Sequence, residues 1–135
     1  MKVEAIHLRA PGAEDVQEVD AAEAVAGKGL EGDRYFFADG ARPGLALTLV
    51  EGDIVREVGL GPGATRRQLT VTGTGLNDLV GKRFRVGAVE CYGVMLCEPC
   101  LHLQELTRPG IIKALVHRAG LNADILTDGS ISVGD

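Results

Sequence analysis

A chain of 135 residues with 45% hydrophobic residues is long and apolar enough to form one domain with its own core, so we treat residues 1–135 as a single domain. Its net charge of −5, its lack of Trp and its 4% of aromatic residues argue against nucleic-acid binding, which relies on cationic surfaces and stacking rings. No apolar run reaches the roughly 18 residues of a membrane span, and Glu4 and His7 interrupt the start that a signal peptide would need, so we expect a cytoplasmic protein without a membrane partner.

Short strands and one helix are predicted for the first half of the chain. Residues 3–8 alternate loosely between apolar and polar side chains and predict a strand, and residues 17–19 predict an extended segment. The continuous apolar run at residues 45–50 predicts a buried strand. Residues 51–58 have apolar side chains at helical spacing before a glycine-rich turn, so they predict an amphipathic helix.

A glycine-rich loop is predicted at residues 27–35, because three glycines within six residues give the backbone unusual freedom. Lys28, Asp33 and Arg34 lie in this loop. They are either solvated surface charges or part of a site for an anion, in which backbone N–H groups and Arg34 approach the ligand and Asp33 orients Arg34. The glycine spacing matches neither common nucleotide-binding motif.

Residues 66–73, 82–87 and 89–96 predict three further strands by their alternation and β-branched content. The first of them begins with Arg66 and Arg67. This pair either protects a sheet edge as solvated charge or forms a fork for phosphate or carboxylate.

The last part of the chain predicts a helix and a hairpin. Residues 109–120 predict the helix, with an apolar face of Ile111, Ile112, Leu115 and Val116. Residues 122–133 predict the hairpin, because Asp128-Gly129 suits a type I′ turn. With six or seven short strands, two or three helices and little β-α-β alternation, the fold class is mainly β with α: a partly closed antiparallel or mixed β-barrel.

Cys97 and Cys100 form a C-x-x-C motif between the strand at 89–96 and a short predicted helix at 101–106. Pro99 suits a first helical turn. The N–H groups and the positive dipole end of such a helix start favour a thiolate. In a cytosolic chain, cysteines are more often functional or free thiols than a disulfide framework.

The residues alone leave four interpretations of the two cysteines open. They are core side chains, a thioredoxin-like redox pair, part of a structural zinc site, or a single thiolate with a helper that binds a soft metal or carries sulfur. The strands lie before the motif, which is unlike a thioredoxin domain. Zinc would draw on Cys91, Cys97, Cys100 and His102, which lack the two well-spaced pairs of a structural site.

Several motifs, in their order along the chain, resemble those of the MOSC family, the domain found at the C-terminus of molybdenum cofactor sulfurases. They are GLEGDRY at 29–35, RRQL at 66–69, LVGKRFRVG at 79–87, CEPC at 97–100, RAGLNA at 118–123 and ISVGD at 131–135. Their joint order carries the resemblance.

The resemblance implies a β-rich, barrel-like fold that binds the molybdenum–pterin cofactor or handles sulfur around it. Cys100 matches the family's metal-ligating cysteine, which implies that it bonds molybdenum or carries sulfur, with Cys97 as its helper. Gln68 stands where the family usually has Asn, so its amide lies one methylene further out. Nothing in the sequence resembles the sulfur-generating domain of the full sulfurases, so no pyridoxal phosphate is expected on this chain.

The pterin phosphate requires forked donors, and Lys28, Arg34 and Arg67 are the residues expected to bind it. Asn122 either donates to the pterin or caps the turn after Gly120. His102 and His117 are expected to face solvent or to cap locally.

Molybdenum cofactor is thus the expected cofactor, not retained on purification, in a site that is open or completed by another chain. The expected partners are a cofactor-dependent enzyme and a cysteine desulfurase-type sulfur donor; a homodimer is left open, as is whether the chain is itself an enzyme. Two other functions are not excluded: a thiol–disulfide oxidoreductase that uses the C-x-x-C pair, and a non-catalytic adaptor with structural cysteines.

Overall fold

The computed structural model describes residues 1–135 and contains ten short strands and three short α-helices. The strands are β1 Lys2–Leu8, β2 Gln17–Val19, β3 Ala21–Val25, β4 Gly29–Leu30, β5 Leu47–Glu51, β6 Leu69–Thr72, β7 Arg83–Val86, β8 Val89–Leu96, β9 Leu121–Ile125 and β10 Gly129–Ser132. The helices are α1 Gly52–Glu57, α2 Leu101–Leu106 and α3 Ile111–Leu115, and a 3-10 turn spans Leu76–Leu79. No helix combines the length and the apolar character that a membrane crossing needs.

Two sheets make up the fold. The larger has seven strands in the order β2-β1-β6-β5-β9-β8-β7, and the smaller has three in the order β10-β3-β4. Every pairing is antiparallel except that of β5 with β6, which α1 joins in a β-α-β connection. The mixed sheet forms a half-barrel, which confirms the predicted α+β class.

The core lies between the two sheets. Eighteen buried residues form one apolar cluster; the larger sheet contributes residues such as Ile6 and Leu49, and the smaller contributes Leu30 and Ile131. Each such side chain removed from water contributes about 1.5–3 kcal/mol. The predicted alternation is confirmed in β7, where Val86 is buried.

A second apolar cluster holds the short helices in place. It consists of Val58, Leu103, Ile111, Leu115 and Ala119, and so joins α2 and α3 to the end of α1. Because Leu103 is buried in this cluster, α2 has a fixed position on the body of the protein, and so does the residue that precedes it, Cys100.

The predicted hairpin at residues 122–133 is wrong. Strand β9 pairs with β5 and β8 in the larger sheet, whereas β10 pairs with β3 in the smaller one. Gly129 does not adopt the positive φ that a type I′ turn requires. The carboxylate of Asp128 instead accepts a hydrogen bond from the backbone N–H of Ala26 at 2.7 Å, so the dipeptide is tied to the β3–β4 turn.

The predicted helix at residues 109–120 is too long, because α3 ends at Leu115. Val116 is 48% exposed and does not belong to the apolar face. His117 adopts a left-handed backbone conformation, with φ 61°, and its N–H donates to the carboxylate of Glu98 at 2.7 Å. Glu98 belongs to residues 97–100, the connection between β8 and α2 that we call the cysteine loop. Capture of the His117 N–H by this loop, rather than by the preceding helical turn, accompanies the early end of the helix.

Candidate functional site

One cavity of about 310 Å³ collects most of the residues that the sequence singled out. This volume falls at the lower end of the range of small-molecule sites, about 300–1,000 Å³. The predicted site residues that line it are Arg34, Arg67, Gln68, Cys97, Cys100 and Asn122. Lys28 is not among the lining residues.

The two cysteines of the motif occupy the connection between β8 and α2 and differ in exposure. Cys97 is half-buried, and its N–H donates to the carbonyl of Gly120 at 2.8 Å. Cys100 is exposed and immediately precedes α2. Pro99 therefore lies before the helix rather than in its first turn. The pair offers one accessible sulfur and one that the surrounding chain encloses.

The surroundings of Cys97 oppose a thiolate at neutral pH. Burial raises the pKa of the Cys97 thiol above its ordinary value; the charge of Arg67 lowers it in part, while Cys100 and Glu98 raise it. The expectation that the helix start favours a thiolate therefore does not hold for Cys97. The third cysteine, Cys91, packs in the core, where burial raises its pKa to about 12.

The side chain of Arg67 is held by three backbone carbonyl groups. Its Nε donates to Ala119 at 3.0 Å, its Nη1 to Thr65 at 3.1 Å and its Nη2 to Cys97 at 3.5 Å. The guanidinium thus connects the segment before β6 with the cysteine loop and with the residues that lead into β9. Arg67 positions the cysteine loop in addition to lining the cavity.

Gln68 and Asp33 form a buried polar pair beneath the cavity; their exposed fractions are 3% and 4%. The amide of Gln68 donates to the carboxylate of Asp33 at 2.8 Å, and its oxygen accepts the N–H of Thr48 at 2.9 Å. The extra methylene of Gln, compared with the family's Asn, thus accompanies a contact between β6 and the glycine-rich loop. Gln68 uses both ends of its amide within the protein.

The carboxylate of Asp33 fixes the backbone of two segments that line the cavity. It accepts the N–H of Arg9 at 2.7 Å and that of Tyr35 at 3.1 Å, and the N–H of Arg34 donates to the carbonyl of Arg9 at 2.8 Å. Asp33 therefore orients Arg34 through the backbone and not through an ion pair. Burial raises the pKa of Asp33, although the hydrogen bonds from Tyr35 and Gln68 lower it in part.

Arg9 and Arg34 are cavity residues whose guanidinium groups form no ion pair within the protein. The guanidinium of Arg34 lies over the ring of Tyr35, 5.0 Å from its centroid. Arg66, by contrast, donates to the carbonyl of Glu14 and lies 3.7 Å from the carboxylate of Asp15. Arg9 and Arg34 are therefore the cations most available to an anionic ligand.

The remaining predicted residues divide between the cavity and the surface. Asn122 lies on β9 within the sheet, so it does not cap a turn, and His102 lines the cavity from the first turn of α2. His117 lies outside the lining, and its Nδ1 is 2.7 Å from the carboxylate of Glu98.

Sequence reasoning missed two basic residues of the lining, His7 and Arg9. His7 lies near the end of β1 and Arg9 directly follows that strand, and neither belongs to a motif. The alternation of β1 is the signal that could have found the first of them, because Ile6 faces the core and the next side chain must face the opposite side.

No group of three or more His, Cys, Asp or Glu side chains is placed to hold a metal ion.

Residues 45–135 match the family model of the MOSC domain, which is more than half of the chain. The chain belongs to the MOSC domain family. The family is associated with molybdenum-cofactor binding or with sulfur-related function. No curated protein matches this MOSC domain.

Solved structures show the same fold. The YuaD protein from Bacillus subtilis is similar, with a TM-score of 0.79 and 18% identity over 99% of this chain and 92% of that one. YiiM from Geobacillus stearothermophilus has a TM-score of 0.74 and 16% identity over 98% of this chain and 71% of that one. At these identities the likeness concerns the fold of the MOSC domain alone.

Proposed function

We propose that this MOSC domain binds the molybdenum cofactor, or carries sulfur to a metal–sulfur centre, and that Cys100 supplies the reacting sulfur. The observation that supports it best is the convergence of an exposed thiol, two unpaired arginines and a strand-borne amide, that of Asn122, on one cavity of about 310 Å³. A thiol is a soft metal ligand, and guanidinium groups bind anions. Their presence in one site suits a ligand that contains both a metal and an anionic group.

The chemistry of these side chains fits a molybdenum–pterin cofactor. Cysteine thiolate is a metal ligand, and Cys100 is the one exposed cysteine. The guanidinium groups of Arg9 and Arg34 would bind the phosphate, because planar forked donors match its oxygens. Asn122 would donate to the pterin. When bound, the cofactor would supply redox or sulfur-transfer chemistry at its metal, and this chain would bind and orient it.

In the sulfur-carrying form of the proposal, the thiolate of Cys100 attacks the outer sulfur of a donor persulfide. The donor S–S bond breaks as a new S–S bond to Cys100 forms, and the donor cysteine leaves as a thiolate, so no net oxidation occurs. Attack by Cys97 on the new persulfide would release sulfide and form a disulfide. The raised pKa of Cys97 slows that loss, since the thiolate is the attacking species.

The same asymmetry weakens the case for a thiol–disulfide oxidoreductase. A C-x-x-C pair that exchanges disulfides relies on a cysteine whose pKa is lowered, whereas the pKa of Cys97 is raised. The adaptor with structural cysteines predicts that Cys100→Ala alters stability and no chemistry, which the following experiment separates.

The test is co-expression of the chain with the enzymes of cofactor synthesis, followed by assays of molybdenum and pterin, and of cyanide-labile sulfur after treatment with a sulfurtransferase. We expect the wild type and Glu105→Gln, an exposed change on α2, to carry cofactor or sulfur, and Cys100→Ser to lose it. If the wild type and Cys100→Ser both lack molybdenum and pterin, and the wild type gains no labile sulfur, the proposal fails.

A further inference from the structure

His7 is a buried histidine in the wall between two cavities. It lines the cavity of the candidate site, of about 310 Å³, which we call the main cavity. It also lines a second cavity, of about 340 Å³. Its ring is only 5% exposed, and its Nε2 lies 3.3 Å from the carboxylate of Glu18, which is 63% exposed. Its Nδ1 is buried and has no hydrogen-bond partner in the protein. Buried polar atoms are normally paired, so this atom requires an explanation.

The fold holds the ring in this place. His7 and Glu18 are directly opposite each other in the antiparallel pairing of β1 with β2, so their side chains lie on the same face of the sheet. Gly63 leaves the space that the ring occupies: a Cβ at residue 63 would lie 2.8 Å from Cδ2 and 2.9 Å from Nε2 of His7. The φ of Gly63, +76°, also disfavours any other residue there.

The two edges of the ring have different neighbours. Cδ2 and Nε2 face Gly63 and Glu18, which border the second cavity and not the main one. Since His7 lines the main cavity too, we infer that the opposite edge, which carries the buried Nδ1, is the edge nearer to it.

The charges on the two sides are opposite in sign. The main cavity is lined by four arginines and a single buried carboxylate: Arg9, Arg34, Arg66, Arg67 and Asp33. The second cavity has two carboxylates and one arginine: Glu4, Glu18 and Arg56, of which Glu4 is paired with Arg56. Glu18 would hold the ring at Nε2, and Nδ1 would face an anionic or acceptor atom bound among the arginines of the main cavity.

We propose that His7 donates a proton or a hydrogen bond from Nδ1 to the ligand of the main cavity, with Glu18 positioning the ring through Nε2. This inference rests on the proposed function only in taking the main cavity as the ligand site. In the proton-transfer step, the Nδ1–H bond breaks, a bond from hydrogen to a ligand oxygen or nitrogen forms, and the imidazolium becomes neutral imidazole. Nε2 keeps its proton toward Glu18, and no electron changes hands.

The test is nitrogen NMR of the full chain labelled with ¹⁵N-histidine, which contains three histidines and therefore three ring systems. Spectra are compared for the empty protein, for the empty protein with molybdate as an oxyanion probe, and for the cofactor-loaded protein. We expect the Nδ1 resonance of His7 to move with molybdate or cofactor while its Nε2 resonance moves less. His117, outside the cavity, serves as the internal reference.

The outcomes separate the two proposals. If the chain takes up neither molybdenum nor pterin but Nδ1 of His7 responds to molybdate, the proposed function fails and the role of His7 stands. If the cofactor loads and His7 moves no more than His117, the role of His7 is overturned. It is also overturned if neither ligand moves His7.

Two substitutions give a second measurement. The amide of His7→Asn lies near the position of Nδ1, and that of His7→Gln reaches the position of Nε2. We expect His7→Gln to weaken molybdate binding by about tenfold and His7→Asn to weaken it less, because the lost contact is a hydrogen bond to a charged group. Equal losses, or the reverse order, would contradict the assignment of Nδ1 to the main cavity.

Discussion

The amide of Gln68 donates a hydrogen bond of 2.8 Å to the carboxylate of Asp33, and both side chains are buried beneath the main cavity. That carboxylate in turn holds the backbone N–H groups of Arg9 and Tyr35. A single buried pair therefore fixes the chain at both unpaired arginines of the cavity. Its loss should disturb the fold and the anion site together.

The first prediction concerns the length of the Gln68 side chain. Gln68→Asn cannot reach Asp33 and the N–H of Thr48 at once, so a buried polar group loses its partner. We expect the free energy of unfolding to fall by about 1–3 kcal/mol, measured by urea denaturation. The same substitution at exposed Gln17 should change it by less than about 0.5 kcal/mol. Equal effects at the two positions would contradict the network.

Asp33 should make the free energy of unfolding depend on pH, with a contribution that decreases as the pH rises. Because burial raises its folded-state pKa above the ordinary value of 3.8, the folded state binds this proton more tightly than the unfolded state. Its contribution to stability is greatest below pH 3.8 and falls as the pH rises through the folded-state pKa. The unfolding free energy of wild type minus that of Asp33→Asn should therefore decrease between acidic and neutral pH. Exposed Asp39→Asn provides the control, and an increase in the difference would refute the sign.

Replacement of Arg67 by Lys should make the cysteine loop less ordered. Lysine carries one ammonium group and cannot reproduce three fixed guanidinium contacts. We expect Arg67→Lys to speed amide hydrogen exchange at Cys97, whose N–H donates to Gly120, and to lower stability by about 1–2 kcal/mol. Arg83→Lys, an exposed change on β7, should leave exchange at Cys97 unaltered. Unchanged exchange in Arg67→Lys would show that the carbonyl contacts do not hold the loop.

The three thiols should react with iodoacetamide at different rates. Exposed Cys100 should be modified first at neutral pH, and Cys97 should follow only as the pH approaches its raised pKa, by about tenfold per pH unit. Mass spectrometry of modified peptides measures both rates. In Cys100→Ser the fast phase should disappear. A fast phase on Cys97 at neutral pH would overturn the asymmetry between the two cysteines.

Removal of either unpaired arginine should weaken binding of an oxyanion in the cavity. Each charge-assisted contact contributes about 1.5–3 kcal/mol, so Arg9→Gln and Arg34→Gln should each reduce molybdate affinity about tenfold or more in isothermal titration. Arg42→Gln removes an exposed arginine outside the cavity and should not change affinity. Comparable losses in all three variants would indicate a general charge effect and no specific site.

The elements with strong local patterns could be predicted from the sequence, and the long-range pairings could not. Strand β8 and helix α1 follow from their apolar spacing. The Asp128-Gly129 dipeptide gave a local turn signal, but the backbone N–H of Ala26, distant in sequence, binds Asp128 and separates β9 from β10. Local propensity carries no information about such a partner.

In the candidate site, too, the residues of local motifs could be predicted, whereas their long-range contacts could not. Cys97, Cys100, Arg34 and Gln68 belong to motifs, and the structure brings all four to one cavity. The buried contacts of Gln68 and two of the three carbonyl contacts of Arg67 depend on partners 20 to 52 residues away, which no motif reveals. His7 lies in strand β1 and Arg9 directly follows it, so no motif marks either residue as part of the site.

Strand β9 lies at the centre of the larger sheet, between β5 and β8, although it is one of the last strands of the chain. Until residues 121–125 leave the ribosome, the group β2-β1-β6-β5 and the hairpin β8-β7 have no strand in common, and both expose unpaired edges. Non-local pairing of this kind slows folding, because chain entropy is lost before the contacts form. The cysteine loop, which follows β8 and whose Cys97 N–H donates to the carbonyl of Gly120 just before β9, gains this hydrogen bond as β9 enters the sheet.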